Sequence, residues 1–418
     1  MGKQHFLKKL LNGAEVEWLP VSKLFYVKNG YTPSRSNKEF WENGSVPWFR
    51  MDDIRKNGRI LNDSLQKISK NAVKSGNLFP ANSLIFATSA TVGEHALISV
   101  PHLANQRFTS LSLKEKYAGI FEIKFLFYYG FLLAEWCKKN TKTSSFASVD
   151  MIGFRKFLFP IPCPDNPEKS LAIQGEIVRI LDTFTELTTE LTTELTARRK
   201  QYNHYLDKLL TFDDDDNVQW KPLANIGEVR MCKRVMKNQT SDVGDIPFFK
   251  IGTFGKQANA FISRKLFEEL KKKFHYPKSG EILISASGTI GRSVIFDGRE
   301  AFFQDSNIVW IENDEDKVLN KYLFYVYQII TWHVSDGGVI KRLYNDNIRK
   351  TKIPIPFSSD PQKSLAEQQR IVTILDKFDA LTTSLTEGLP REIELRQKQY
   401  EYYRDQLLNF PKFDKRVA

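Results

Sequence analysis

A chain of 418 residues is too long for one ordinary hydrophobic core, so two or more domains are expected, and its 41% apolar residues suffice to fill them. The net charge of +12 draws polyanions, nucleic acid first among them, and no run of about 18 apolar residues offers a membrane span. The opening MGKQHFLKKLLNGAEVEW lacks a signal-peptide core, and Cys137, Cys163 and Cys232 stand alone without a CxxC pair; a cytoplasmic protein with buried thiols, without a disulfide framework or zinc ribbon, is expected.

In chain order, residues 1–169 form a basic block of net charge +10, residues 170–210 a segment of −1, residues 211–363 a second block of +3, and residues 364–418 a neutral segment. In the first block NSLIFATSA reads as a buried strand running into a turn, EIKFLFYYGFLLAEWCKK as an amphipathic helix and FPIP as extended chain. The second block repeats this faintly: EILISASG and LNKYLFYVYQII answer the strand and helix, SGTIG answers SATVG, Gln304 answers Gln106 and IPIP answers FPIP. Each block is therefore expected to be an α/β or α+β domain of roughly 160 residues, one module present twice.

The connecting segments repeat more strongly. SLAIQGEIVRILDTFTELTTEL (170–191) returns as SLAEQQRIVTILDKFDALTTSL (364–385), an offset of 194, and QYNHYLDKLLTF (201–212) returns as QYEYYRDQLLNF (399–410), an offset of 198. EWLP (17–20) likewise echoes QWKP (219–222). Leu181, Phe184, Leu187, Leu191 and Leu195, and in the second copy Leu375, Phe378, Leu381, Leu385 and Leu389, step by three and four along one apolar helical stripe. Near-equal stripes with neutral polar faces fit an antiparallel pair of rods, each of about 38 residues and roughly 57 Å. EGLPRE (387–392) sets Gly388 and Pro390 inside the second rod, where a kink or break is expected. In the first rod LTTELTTEL (187–195) repeats a four-residue unit that drifts about 40° per repeat, tolerable for a few units; each unit adds about 6 Å, against about 3.4 Å per base pair of duplex DNA.

These residues resemble the specificity subunit of type I restriction-modification enzymes over nearly the whole chain. GYTPSRSNKEFWENGSVPWFRMDDI (30–54), SATVG with NQRF, SGTIG with FQDSN, and IPIP followed by SLAEQQRIVTILD carry the resemblance. It implies two target-recognition domains in inverted orientation (1–169 and 211–363), each reading half of a bipartite double-stranded DNA site. Two spacer helices (170–210 and 364–418) would form a coiled-coil-like antiparallel pair in a pseudo-two-fold, circular arrangement. The helices would fix the gap and dock two methyltransferase subunits, with restriction-translocase subunits outside. The second domain lacks the TPS of the first and any match to Trp41.

Catalysis is not expected of the chain. GxxxxGK[ST], HExxH and [ND]PP[YF] are absent, PDNPEKS (164–170) loses both its acidic positions in its repeat SSDPQKS (358–364), DDDD (213–216) reads as a solvated linker, and the six histidines show no ligand spacing; no cofactor or metal is expected. Loops carrying Arg, Lys, Asn, Gln and hydroxyl groups are the candidate DNA contacts. In the first domain these are Ser34, Arg35, Asn37, Lys38, Arg50, Ser89, Thr91, Asn105, Gln106 and Arg107; in the second, Lys233, Arg234, Lys237, Lys250, Ser287, Thr289, Gln304, Asn307, Lys341 and Arg342. Gln106 and Gln304, shared by both copies, are expected to bond backbone or phosphate, and Trp41, Trp48 and Phe249 to belong to the core. Two other classes of function stay open: a self-sufficient site-specific endonuclease, and a helical scaffold for proteins.

Overall fold

The computed structural model describes residues 5–143, 147–212, 217–334, 341–384 and 387–411, and the chain divides into two compact units, residues 1–190 with 394–418, and residues 191–393. Both mix helix and sheet around a core of their own, and the same plan is built twice.

In the first unit a five-stranded sheet runs in the order Phe25–Asn29, Phe108–Leu113, Ser83–Ala87, His95–Ile98 and Ile60–Leu61, antiparallel except for the parallel last pair. The run SLIFA is apolar without alternation because both faces of its strand are covered. Leu84 and Phe86 face one cluster with helix Ile123–Lys139; Ile85 and Ala87 face another built around Trp48 and Phe49. Beside it lies a three-stranded sheet of Lys67–Ile68, Val46–Phe49 and Leu103–Ala104.

The second unit repeats this with a four-stranded antiparallel sheet of Gly227–Met231, Ile308–Asn313, Ile282–Ser285 and Ser293–Ile295, and a three-stranded one of Phe261–Ile262, Ile246–Phe249 and Phe302–Phe303. Ile282 and Ile284 again point to one cluster, with helix Asn320–Ile329, while Leu283 points to the other. The two short echoes noted in the sequence are strand partners: Val16–Pro20 pairs antiparallel with Leu158–Pro162, and Val218–Pro222 pairs with Lys352–Pro356 in the same register.

Pro167–Leu210 is one uninterrupted helix of 44 residues. The LTTE stretch is helical throughout, and the threonine hydroxyls in and just before it donate to carbonyls one turn back: Thr185 to Leu181 O (3.0 Å), Thr188 to Phe184 O (2.8 Å) and Thr189 to Thr185 O (2.8 Å). The second copy is interrupted. Helix Pro361–Thr383 stops and helix Gly388–Leu407 begins, with Gly388 at φ +73°. A Cβ there would sit 2.5 Å from Ala380 O, so only glycine fits the turn, and Pro390 falls in the first turn of the new helix, where its missing N–H costs nothing.

Buried amides and half-buried carboxylates fasten each helix to its unit. In the first, Gln174 accepts from Glu122 N–H (3.0 Å) and donates to Ile120 O (2.9 Å) and Ser170 Oγ (3.0 Å), while Asp182 accepts from Lys124 Nζ (2.7 Å) and Tyr128 OH (2.6 Å). In the second, Gln368 accepts from Leu319 N–H (2.9 Å) and donates to Lys317 O (3.3 Å) and Ser364 Oγ (3.1 Å), and Asp376 accepts from Lys321 Nζ and Tyr325 OH (both 2.6 Å). Ser170, Gln174 and Asp182, with their repeats Ser364, Gln368 and Asp376, therefore recur as matching anchors of each helix on its own unit.

Of the apolar stripe, Leu181 and Leu375 are fully buried, Phe184 and Phe378 are half-buried, and Leu187, Leu191, Leu195, Leu381 and Leu389 remain partly exposed; Leu385 and the run Asp213–Asp216 lie outside the described residues. Within the first unit Phe184 stacks on Tyr403 (5.3 Å, 20°), and Leu407, Leu408 and Phe410 complete the core, Phe410 edge-on to Phe125. Within the second, Tyr205 stacks on Phe378 (5.2 Å, 23°). No helix is long and apolar enough to cross a membrane among the described residues.

Candidate nucleic-acid interface

In the first unit two indoles seat the loop after strand Phe25–Asn29. Trp48, 2% exposed, donates from Nε1 to Tyr31 O (3.0 Å); Trp41 packs edge-on to it at 5.0 Å and donates to Ser34 O (2.9 Å). Trp48 is thus a core residue, as is its half-buried neighbour Trp41. Asn37 turns inward to cap residues Lys38–Phe40 by accepting from Glu39 N–H (3.1 Å), and the hydroxyls of Ser34 and Ser36 bond each other at 2.7 Å. Arg50 is placed at the start of helix Met51–Asn57, where the fully buried Asp53 accepts the N–H of Arg50 and of Leu65, both at 2.6 Å. The result is a cleft of about 400 Å³ lined by Arg35, Lys38 and Arg50 and walled by the two indoles.

Hydrogen bonds draw the other loops to this cleft. Asn105 N–H donates to Phe49 O (3.0 Å), Gln106 Oε1 accepts from Thr32 Oγ1, and Thr88 N–H donates to Arg107 O (2.9 Å), which sets the Ser89–Thr91 turn beside Arg107. Asn105 Oδ1 accepts from Arg107 N–H (3.0 Å), so its amide shapes the loop; the side chains of Arg35, Lys38, Arg50 and Arg107 form no salt bridge with any described residue.

The second unit gathers the counterparts. Gln304 N–H donates to Phe249 O (2.9 Å) and its Oε1 accepts from Ile251 N–H (3.0 Å), next to Lys250: this glutamine bonds backbone. Ser287 Oγ donates to Asn307 Oδ1 (2.8 Å), Ser287 bridges Arg342, and Arg342 donates to Ser306 O, with Lys341 beside it. Thr289 Oγ1 accepts from Arg292 Nη2 (3.3 Å), and Arg234 pairs with Asp305 at 3.0 Å. Ser287, Asn307, Arg234 and Arg342 thus have protein partners, while Lys250 and Lys341 project free of described ion pairs. Lys233 lies over the Phe274 ring (4.9 Å) at the end of helix Arg264–Lys273, and Lys237 opens a 3₁₀ turn that Thr240 closes; among the described residues no side-chain bond ties these two to the Gln304 cluster.

The two glycine turns share one conformation. Ala90 (φ +65°) and Gly93 (+89°) match Gly288 (+68°) and Gly291 (+77°), so SATVG spends an alanine where SGTIG uses glycine. Sequence reasoning missed Glu42 and Gln66 on the cleft and the basic helix Arg264–Lys273 beside Lys233. The pairing of Pro47 with Lys67 and the bond from Trp48 N–H to Gln66 O (3.2 Å) bring Gln66 across, and Ser64 bonds both Trp48 N–H and Gln66 O.

Burial governs the titratable groups nearby. His95, stacked on Phe86 at 5.1 Å, is held down to about 3 by burial and then by the Arg59 charge; burial holds His102 to about 4. Burial likewise pushes the Cys137 and Cys232 thiols up to about 12, as expected of core cysteines. No group of three or more His, Cys, Asp or Glu among the described residues is placed to hold a metal ion.

The family described as type I restriction modification DNA specificity domain matches residues 15–198 and 216–395. The chain is similar to the type I restriction enzyme EcoprrI specificity subunit of Escherichia coli, 47% identical over 394 residues and covering 93% of each chain. It is 44% identical over 416 residues to a putative type I restriction enzyme specificity subunit of Haemophilus influenzae, covering 97% of this chain and 98% of that one. In fold it resembles the S subunit of a type I restriction-modification system from M. genitalium (TM-score 0.53, 14% identity, 96% and 98% covered). A chain from a study of type I complex assembly gives a TM-score of 0.63 at 13% identity, with 94% and 97% covered.

Proposed function

Because this chain belongs to the type I restriction-modification specificity-subunit family, we propose that it reads a bipartite double-stranded DNA site, one half with each unit, for a modification and restriction complex. One observation carries the reading: the clamps of Gln174 and Gln368, Asp182 and Asp376 are the same in both units, while the candidate contact loops of the two units carry different side chains. A conserved frame with divergent loops is what two different half-sites require, since base edges are told apart only by the donors and acceptors presented to them. Ser34, Arg35, Lys38, Arg50, Ser89, Thr91 and Arg107 serve the first half-site, and Lys233, Lys237, Lys250, Thr289 and Lys341 the second. Asn37, Asn105, Gln106, Gln304 and Asn307 shape the loops. The spacer helices dock two methyltransferase subunits through their partly exposed leucines, restriction-translocase subunits joining outside, and chemistry belongs to those partners.

Selection from a randomised duplex pool tests this. The expected product is two short fixed motifs separated by an unread gap of constant length, bound with a steep salt dependence. One contiguous motif, or binding indifferent to salt, would overturn the reading. Cleavage of DNA by the pure chain with Mg²⁺ would instead favour a self-sufficient nuclease.

A further inference from the structure

We infer that the cleft of the first unit reads a G·C base pair, with Arg50 on the guanine and Glu42 on its cytosine; this rests on the DNA-reading function proposed above. Besides Arg35 and Lys38, three polar side chains line the cleft, Arg50, Glu42 and Gln66, and none of the three makes a side-chain hydrogen bond to a described residue. The guanidinium of Arg50 lies 5.6 Å from the Trp48 ring centroid and makes no hydrogen bond to a described residue, its Nε buried without a partner. The carboxylate of Glu42 and the amide of Gln66 line the same space without a hydrogen bond to any described side chain. Arg50 and Glu42 carry opposite charges in one cleft of about 400 Å³, yet form no salt bridge.

That separation is informative. Opposite charges lining a shared cleft without touching leave room for a group that each can satisfy. Arg50 offers a planar fork of donors, held in orientation by the indole beneath it and by the Asp53 bond to its own N–H. Glu42 offers only acceptors. A phosphate would gain from the first and be repelled by the second. A G·C pair suits both, presenting O6 and N7 acceptors on guanine and the N4 donor on cytosine along one major-groove edge. Gln66, with donor and acceptor together, suits the neighbouring position, and Arg35 and Lys38 at the same opening supply the cations that hold the backbone.

The test uses the full chain, the conservative variant Arg50→Lys, which keeps the charge and removes the fork, and Glu42→Gln, which removes the anion. Each is run through the same randomised-duplex selection and a salt titration, with the thermal transition checked against the parent. The expected result is that both variants relax the same single G·C position, by roughly ten- to a hundred-fold in discrimination for Arg50→Lys. All other positions and the salt slope should stay as in the parent. A uniform loss across all sequences with the salt slope reduced by about one would make Arg50 a phosphate contact and overturn the inference, as would relaxation at two different positions. If the unmodified chain selects no sequence, the function proposed above fails and this inference falls with it; selection by the parent with unaltered specificity in both variants sinks the inference alone.

Discussion

Single residues in this chain are constrained mainly by backbone conformation and by burial. Ala90 occupies a left-handed conformation that its counterpart Gly288 adopts without penalty. Ala90→Gly should therefore stabilise the first unit by about 0.5–1 kcal/mol, and Gly288→Ala should cost the second about as much, since the added methyl would meet only Ile251 at an ordinary 3.5 Å. Chemical denaturation of each variant reads both, and shifts of the same sign in the two would refute the shared turn. His95 and His102 make a second prediction. An unfolded histidine takes its proton near pH 6.5, whereas the folded side chains hold out to about 3 and about 4. The unfolded state thus binds more protons below pH 6.5, and stability is full above that value and drains away as pH falls toward the folded values. By pH 5 each histidine should have withdrawn about 2 kcal/mol. Melting of His102→Phe should be flatter between pH 7 and 5 than that of the parent; an equally steep fall would show that other groups drive the acid response.

At the scale of elements, the spacer helices show how a weak sequence signal and a strong one can differ in meaning. The strong repeat at Ser170 to Leu187 is a docking signature: the fully buried Gln174 satisfies Glu122 N–H and Ile120 O. Replacing it with leucine strands both, at about 1–3 kcal/mol, and Gln368→Leu should cost the second unit a like amount in a thermal melt. The four additional residues of the second copy tell a different story. They coincide with the interval between Thr383 and Gly388, so the two copies keep similar helical content, 44 residues against 23 and 20. Gly388→Ala forces a methyl onto Ala380 O and into a left-handed backbone, and should lower the stability of the second unit by more than about 1 kcal/mol. A silent substitution there would mean the turn tolerates other geometries.

For the molecule as a whole, the continuous helix Pro167–Leu210 makes the LTTE units a means of changing length by whole turns. Under the proposed function, one more unit adds about 6 Å and should widen the unread gap by one to two base pairs, leaving both half-site sequences alone. An unchanged gap in a methylation assay would remove the helix from that role. The sequence alone pointed to one module built twice, to a buried strand and an amphipathic helix in each copy, and to helical rods joining the copies, because burial imposes its period on the apolar residues and duplication prints it twice. Only the tertiary structure decided that EWLP and QWKP are the strand partners of FPIP and IPIP, that the last helix completes the core of the first unit, and that Glu42 and Gln66 share a cleft with Arg50. Such meetings are made by chain segments far apart in sequence, whose side chains carry no local pattern until strand pairing and packing bring them together.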